Sequence, residues 1–316
     1  MVAGLMAMAP SCGVVPAPRA SALDPRVFGT NMGLFDSNEQ LLSNAGTQRI
    51  LTGWHTPVIR MPFSASLSDS VELQALQTIK TIGSTPLVIV HGAVDSSVLA
   101  DDTHLLIVVN QVFGSSTVYV EYGNEEDLAG IDDAAYTSSW NAVVPRLKAA
   151  HPTYRFMGPV NFQHDPTYIG YFVGHAVPQP DVVSWHEYVC SPTGATSICL
   201  SHIANWAVHV SDTNNAEVAA VGHTFPFMIT EWNMDPQNDT RYTDPTVIGP
   251  FTMQALQELN SLIPSGLIGA QQYCADSHGG GFEHLLLLQD CVLKRAAARN
   301  TLCDRAAKTG GLQVRA

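Results

Sequence analysis

Charge is scarce in this chain. Charged residues make up 14% of its 316 residues, against about 25% in an ordinary globular domain. The scarcity is uneven in sign, with 15 Lys+Arg against 28 Asp+Glu and a net charge of −13. That balance offers little to a nucleic-acid backbone or to an anionic membrane surface. Long apolar runs are missing as well, and no window reaches the ~18 continuous apolar residues of a membrane span. No CxxC pair occurs among the six cysteines, which argues against a zinc ribbon. HExxH is absent, and so is the Gly-x-Ser-x-Gly elbow of serine hydrolases. Nothing in the sequence calls for a metal or an organic cofactor.

Apolar residues reach 46%, with 24 Gly and 19 Pro, a composition that suits a loop-rich folded chain rather than disorder. The length fits one large domain or two small ones. Residues 1–23 are small and apolar, with no basic start, and read as a ragged leader, a disordered segment or a clipped secretion signal. Residues 294–316 form a basic, Ala/Arg-rich tail to which no function is assigned. Cys190 and Cys199 bracket a loop carrying Pro, Gly, Ser and Thr. A disulfide closing that loop would fit an exported protein; the alternative is a set of buried free thiols.

Between these ends, short β-branched apolar runs alternate with longer segments of helical period. The strand-like runs are 26–30, 57–62, 86–91, 117–122, 155–160, 181–186, 226–231 and 267–273. The helix-like segments are 68–82, 97–113, 134–150, 166–177, 200–210, 246–262 and 283–308. In the first of these, Val71, Leu73, Leu76 and Ile79 are apolar, and Asp69 and Glu72 sit in the first turn, where acids suit the helix dipole. Strands such as Leu87-Val88-Ile89-Val90 are apolar on both faces, as expected of parallel strands covered on both sides. Eight such units predict a single α/β domain, a (β/α)8 barrel over residues 24–293. An open doubly wound sheet would offer a glycine fingerprint after its first strand, and Gly29-Thr30-Asn31-Met32-Gly33 is not one.

Chemistry in such a barrel sits at the C-terminal ends of the strands. Read in order, those ends offer Asn31, Arg60, His91, Asn124 with Glu125, Asn161, His186 with Tyr188, Glu231 with Trp232, and Gln272 with Tyr273. Two carboxylates stand out, Glu125 after strand four and Glu231 after strand seven, roughly opposite each other across the mouth. Cleaving a glycosidic bond needs such a pair, one carboxyl holding a proton for the leaving oxygen and one ionised. Glu121, Glu126 and Asp127 lie close to Glu125 in sequence, and like charges would raise its pKa, as suits an acid. Trp185, Trp232 and Tyr273 are candidate platforms for sugar faces; Trp54 and Trp140 are expected to pack helices.

Gly-Asn-Glu at 123–125 and Thr-Glu-Trp at 230–232 resemble clan A of the retaining glycoside hydrolases. The resemblance implies a (β/α)8 barrel, with Glu125 as general acid/base and Glu231 as nucleophile. It also implies that Asn124 bonds the sugar 2-hydroxyl, that Arg60 lies beside the nucleophile, and that His186 and Tyr188 form a strand-six group in which the tyrosine orients it. Two positions depart from the clan's pattern: Glu126 follows the acid/base where Pro is common, and Gln272 and Tyr273 stand where many members end strand eight in Trp. The implied function is hydrolysis of a β-glycosidic bond in an oligo- or polysaccharide by double displacement. Transglycosylation, or sugar binding by a catalytically silent barrel, are the alternatives. The partner is a carbohydrate, the expected location secreted or extracytoplasmic, and the oligomeric state is unread.

Overall fold

A computed structural model describes residues 23–273, apart from 65, 192, 236–240, 242 and 243. The strands are β1 Gly29–Asn31, β2 Val58–Pro62, β3 Thr85–Val90, β4 Tyr119–Tyr122, β5 Arg155–Asn161, β6 Val182–Tyr188, β7 Phe227–Asn233 and β8 Leu267–Gln272. They pair in sequence order, all parallel, and β1 pairs with β8 to close the barrel. The helices are α1 Gln40–Ser43, α2 Ala45–Gly53, α3 Asp69–Ile82, α4 Val98–Phe113, α5 Asp133–Ala150, α6 Pro166–His175, α7 Thr196–His202, α8 Asn205–Val221 and α9 Pro245–Leu262. The predicted (β/α)8 barrel is the observed fold. No described helix is long and apolar enough to cross a membrane.

Local chemistry accounts for most element ends. Asp132 caps α5 by accepting from Ala135 N, Asp165 caps α6 from Thr167 N and Tyr168 N, and Asp244 caps α9 from Thr246 N. Gly83 and Gly222 end α3 and α8 in the left-handed conformation, which costs glycine least. Trp140 is fully buried and meets Tyr122 and Phe172 edge to face, as the sequence led us to expect. The main core lies between sheet and helices. A second cluster, Val58, Leu87, Met157, Val182 and Met228, comes from strands alone. Alternation puts Val58 and Arg60, Tyr119 and Glu121, and Val182 and His186 on shared faces. The lumen is therefore apolar toward the strand starts and charged toward their ends.

Several expectations needed correction. The first strand is shorter than predicted, because Asp24 caps a 3-10 turn over Pro25–Phe28 and Arg26 turns back to pair with it. Helices α1 and α2 were missed, since Asn44, Gly46, Thr47 and Gly53 give that stretch little helical propensity. The segment 200–210 proved to be two helices, α7 and the longer α8. The polar run Ser211-Asp212-Thr213-Asn214-Asn215 hid the continuation. The predicted helix 283–308, the tail and nearly all of the leader lie outside the described residues.

Two features lend themselves to measurement. Cys190 and Cys199 are joined in a disulfide, with Cα atoms 4.8 Å apart, and Arg241 donates to Gly194 O at 2.8 Å and Ser191 O at 2.7 Å across the same loop. Closing so short a loop is worth about 2–3 kcal/mol. Replacing both cysteines by alanine is therefore expected to lower Tm by roughly 3–6 °C in a thermal melt; an unchanged Tm would mean that the disulfide adds nothing to what Arg241 already holds. Separately, Glu217 is fully buried, with Oε2 accepting from Phe225 N at 2.9 Å. Burial pushes its pKa up to about 7, against about 4.3 in an unfolded chain. In that window the folded state binds the extra proton, so stability falls as pH rises from about 4.3 to 7 and levels off above it. Tm of the wild type should fall between pH 5 and 7, and Glu217→Gln should flatten part of that fall. Parallel slopes would refute the assignment.

Candidate active site

Arg60 is the hub of the strand ends. It is buried, and its guanidinium has five N–H donors. Nε donates to Glu121 Oε2 at 2.5 Å, Nη1 to Asn31 Oδ1 at 2.8 Å and Glu231 Oε1 at 2.6 Å, and Nη2 to Asn124 Oδ1 at 2.6 Å. The fifth donor faces His186 Nε2 at 3.4 Å. Arginine only donates, so Nε2 must present its lone pair, and the His186 proton sits on Nδ1. Nδ1 then donates to Glu125 Oε1 at 2.7 Å and lies 3.7 Å from Glu231 Oε2. Tyr188 donates its hydroxyl to the same Glu231 oxygen. Seven of the sequence-predicted residues thus meet in one cluster: Asn31, Arg60, Asn124, Glu125, His186, Tyr188 and Glu231.

The two carboxylates differ in setting. The Glu231 side chain is 7% exposed and that of Glu125 is 21% exposed. Burial alone would raise the Glu231 pKa. The proton-bearing side of His186, the Arg60 charge, and hydrogen bonds from Tyr188 and Arg60 outweigh it and hold the group below the ordinary carboxylate value. Burial, and the negative charge of Glu231, push the Tyr188 phenol well up, so it stays a donor.

Glu125 has φ 52° and donates its N–H to Val160 O at 2.9 Å. Val160, at the β5 bulge, has φ 60°, a costly backbone for a β-branched residue. The acidic crowding expected around Glu125 is not what the chain builds. Glu121 faces Arg60, Asp127 accepts from Phe162 N, and Glu126 accepts from Ala93 N at 2.8 Å. Glu126 is buried, and a Cβ on Gly92 or Gly123 would collide with its carboxylate. This is why Gly precedes Asn-Glu here. Glu126 thereby braces two loops.

Asn31 and the remaining candidates are placed as follows. Asn31 donates to Thr230 O at 2.9 Å and to Gln271 O at 3.2 Å while accepting from Arg60, so it holds the arginine. His91, just past β3, is oriented by Asp102, whose Oδ1 accepts from His91 N and faces Nδ1 at 3.1 Å. Among the described residues no hydrogen bond joins it to the Arg60 cluster. Asn161 is buried with Oδ1 unpartnered among the described residues, and Gln272 is buried on β8. Tyr273 sits edge-on to Tyr188 at 6.1 Å.

Trp232 is a correction. It is fully buried and packs between Trp206 and Phe251 on the helix side. Strict alternation would put it on the face of Met228, toward the lumen. The register shift between Ile229 and Trp232 reverses the phase, sending Glu231 inward and Trp232 outward. Trp185 is likewise buried, stacked on Phe227, and neither indole has a face free for a sugar. Sequence reasoning undervalued Glu121, counting it only as a member of an acidic group. The signal it carried was its position on β4, two residues after the lumen-facing Tyr119.

Glu125, His186 and Glu231 each offer a ligand atom, all within 4.8 Å of one another. The set does not fit a resident cation. His186 turns its proton-bearing nitrogen toward the carboxylates, and Arg60 already contacts Glu231 at 2.6 Å.

No protein-family model matches the chain, and no curated protein matches it in sequence. Its fold does match solved structures. One is a 4-O-α-L-rhamnosyl-β-D-glucuronidase from Fusarium oxysporum, with TM-score 0.62, 15% identity, and coverage of 84% of this chain and 69% of that one. A family 51 α-L-arabinofuranosidase from Bifidobacterium longum gives TM-score 0.58 at 11% identity, covering 79% and 67%. A bacterial orthologue of human α-L-iduronidase gives TM-score 0.58 at 13% identity, covering 81% of this chain but only 50% of that one. What the chain shares with these glycosidases at such identities is the barrel itself.

The Arg60 hub yields a prediction independent of activity. Arg60→Met would leave Glu121 and Glu231 buried without their counter-ion, at a cost of about 3–5 kcal/mol. Urea unfolding should show a lower midpoint at unchanged slope. The loss should shrink at pH 4, where the stranded carboxyls protonate; an equal loss at pH 4 and pH 7 would count against an electrostatic cause.

Proposed function

We propose that the chain is a retaining glycoside hydrolase acting on a β-linked oligo- or polysaccharide. The observation that carries this reading is the Glu125–Glu231 pair, brought from the ends of β4 and β7 to within 4.8 Å of each other. Retaining enzymes place their carboxyls about 5–5.5 Å apart, and inverting enzymes leave about 6.5–9.5 Å for a water. The close spacing supports double displacement. A Glu231 oxygen attacks the anomeric carbon as the glycosidic C–O bond breaks, and Glu125 gives its proton to the leaving oxygen. Glu125 then takes a proton from water, and the hydroxyl oxygen displaces Glu231 from the sugar.

The settings of the two groups support the division of labour. Glu231 is held ionised and aimed by Arg60 and Tyr188. Glu125 is more exposed and held by one ring nitrogen, so it can meet both leaving group and water. Asn124, held by Arg60 beside Glu125, would bond the 2-hydroxyl, the role the resemblance implies for it. The fold likeness to an arabinofuranosidase and a rhamnosyl-glucuronidase leaves the sugar open within the class. The disulfide of the Cys190–Cys199 loop supports an extracytoplasmic location.

Purified protein would be screened on aryl glycosides and β-glucans beside two variants. Glu231→Gln is expected to be nearly silent on every substrate. Glu125→Gln should lose about 10²–10⁴-fold on substrates with poor leaving groups and much less on nitrophenyl glycosides, whose leaving group needs no proton. Proton NMR of the first product should show the anomeric configuration of the substrate. Turnover undiminished in Glu231→Gln, or an inverted first product, would refute the mechanism. Ligand binding without turnover in the wild type would favour a silent carbohydrate-binding barrel.

A further inference from the structure

We propose that Glu121 is a positioning residue for the Arg60–Glu231 pair, fixing where the guanidinium sits and how much of its charge reaches the nucleophile. The inference rests on the glycosidase reading for the word nucleophile; its geometry does not. Glu121 is fully buried in the lumen, and its Oε2 lies 2.5 Å from Arg60 Nε. Its other oxygen, Oε1, has no hydrogen-bond partner among the described residues. A buried carboxylate with one oxygen unsatisfied is costly. An apolar residue at that point of β4 would continue the strand-only cluster below, so packing does not call for an acid. The hydrogen bonds of Glu121 run to Arg60 alone, and its presence is accounted for by what it does there.

It does two things. It accepts from the only guanidinium edge that no other residue reaches, so the fork cannot rotate about its axis toward the mouth. It also sets a second negative charge against Arg60. With Glu121 present, one guanidinium serves two carboxylates, and Glu231 pairs with a charge already half answered. Without it, the full charge would fall on Glu231 and make it a weaker base and a poorer nucleophile. The other groups facing Glu231 are His186 and Tyr188 from β6, with Tyr273 beyond Tyr188, and Glu125 from the turn after β4. Asn31 from β1 reaches it only through Arg60. Near Glu121 itself, Tyr136 of α5 is the other ionisable group that feels its charge. None of these replaces a buried anion at the Nε edge.

The test is Glu121→Gln in the full chain, which keeps shape and an acceptor oxygen but removes the charge. The Glu231 carboxyl would be titrated by ¹³C NMR, its signal assigned by difference from Glu231→Gln. Its pKa is expected to fall by about one unit or more. The acid limb of the kcat/KM profile should move down with it, and kcat should drop at least about tenfold at little-changed KM. A residue that merely stabilises the fold would lower Tm and leave both titrations in place, and that result overturns the proposal. Should Glu121→Gln not fold, Glu121→Asp decides: it keeps the charge but withdraws it, and should keep the Glu231 titration while losing kcat. Wild-type kcat in Glu121→Asp overturns the positioning role. Absence of turnover in the wild type would sink the glycosidase reading instead, and the NMR titration would still decide this one.

Discussion

Five N–H groups on one buried side chain set the layout of this barrel's mouth. Arg60 cannot be deprotonated, and at almost zero exposure each of its donors must find an acceptor. The acceptors come from β1, β4, the turn after β4, β6 and β7. Strands that touch only their neighbours in the sheet are thereby tied across the lumen. The site is stiff because an expensive charge has been buried where only these partners can satisfy it. A lysine would present a single point of charge and could not serve acceptors lying in five directions.

Bringing those acceptors into reach required the sheet to break its own periodicity. Extra residues fall on β5 at Val160 and on β7 at Thr230, while β6 between them keeps its alternation. A bulge bends the strand and turns the next side chain to the other face. These two strands supply Glu231 and the carbonyl that holds Glu125. On β2, β3 and β4, which pair in regular register, alternation alone aims Arg60 and Glu121 inward. The rule of the pleat also aims His186 and Tyr188 inward from β6, and Glu231 is the strand residue that a departure from it turns in.

That division explains what the sequence disclosed. The barrel was legible because its signal is repeated along the chain: apolar strands of similar length, separated by amphipathic helices with acidic caps. Nearly every strand end offers a polar group, and Glu125, Glu231 and Arg60 stood out among them through the paired carboxylates and the motifs around them. Trp232 was misplaced because a bulge leaves no mark in the residue pattern, so counting by twos carried it to the wrong face. Helix α8 was cut short because a helix anchored by Trp206, Val210 and a buried Glu217 can run through Asn- and Thr-rich sequence that propensity alone would end. Glu121 was read as one more acid in a row of acids. Only the partners of each carboxylate separate it from Glu126 and Asp127, and partners across a barrel are not written in a local stretch of chain.

The same partners account for how two identical side chains come to stand in different settings. Glu231 is approached by an arginine, a tyrosine hydroxyl and the protonated nitrogen of a histidine, all of which favour the anion. Glu125 shares only that histidine nitrogen, and its peptide is pinned in a left-handed turn by the Val160 carbonyl. One group is surrounded by donors on fixed strands; the other is posted at the rim on a strained turn with water at hand. His186 joins them, since its ring lies between both carboxylates while its far nitrogen answers to Arg60. Both carboxylates are therefore held to a ring that cannot turn without giving up the arginine. On the proposed reading, acid and nucleophile are tied together by that imidazole and not by the sugar alone.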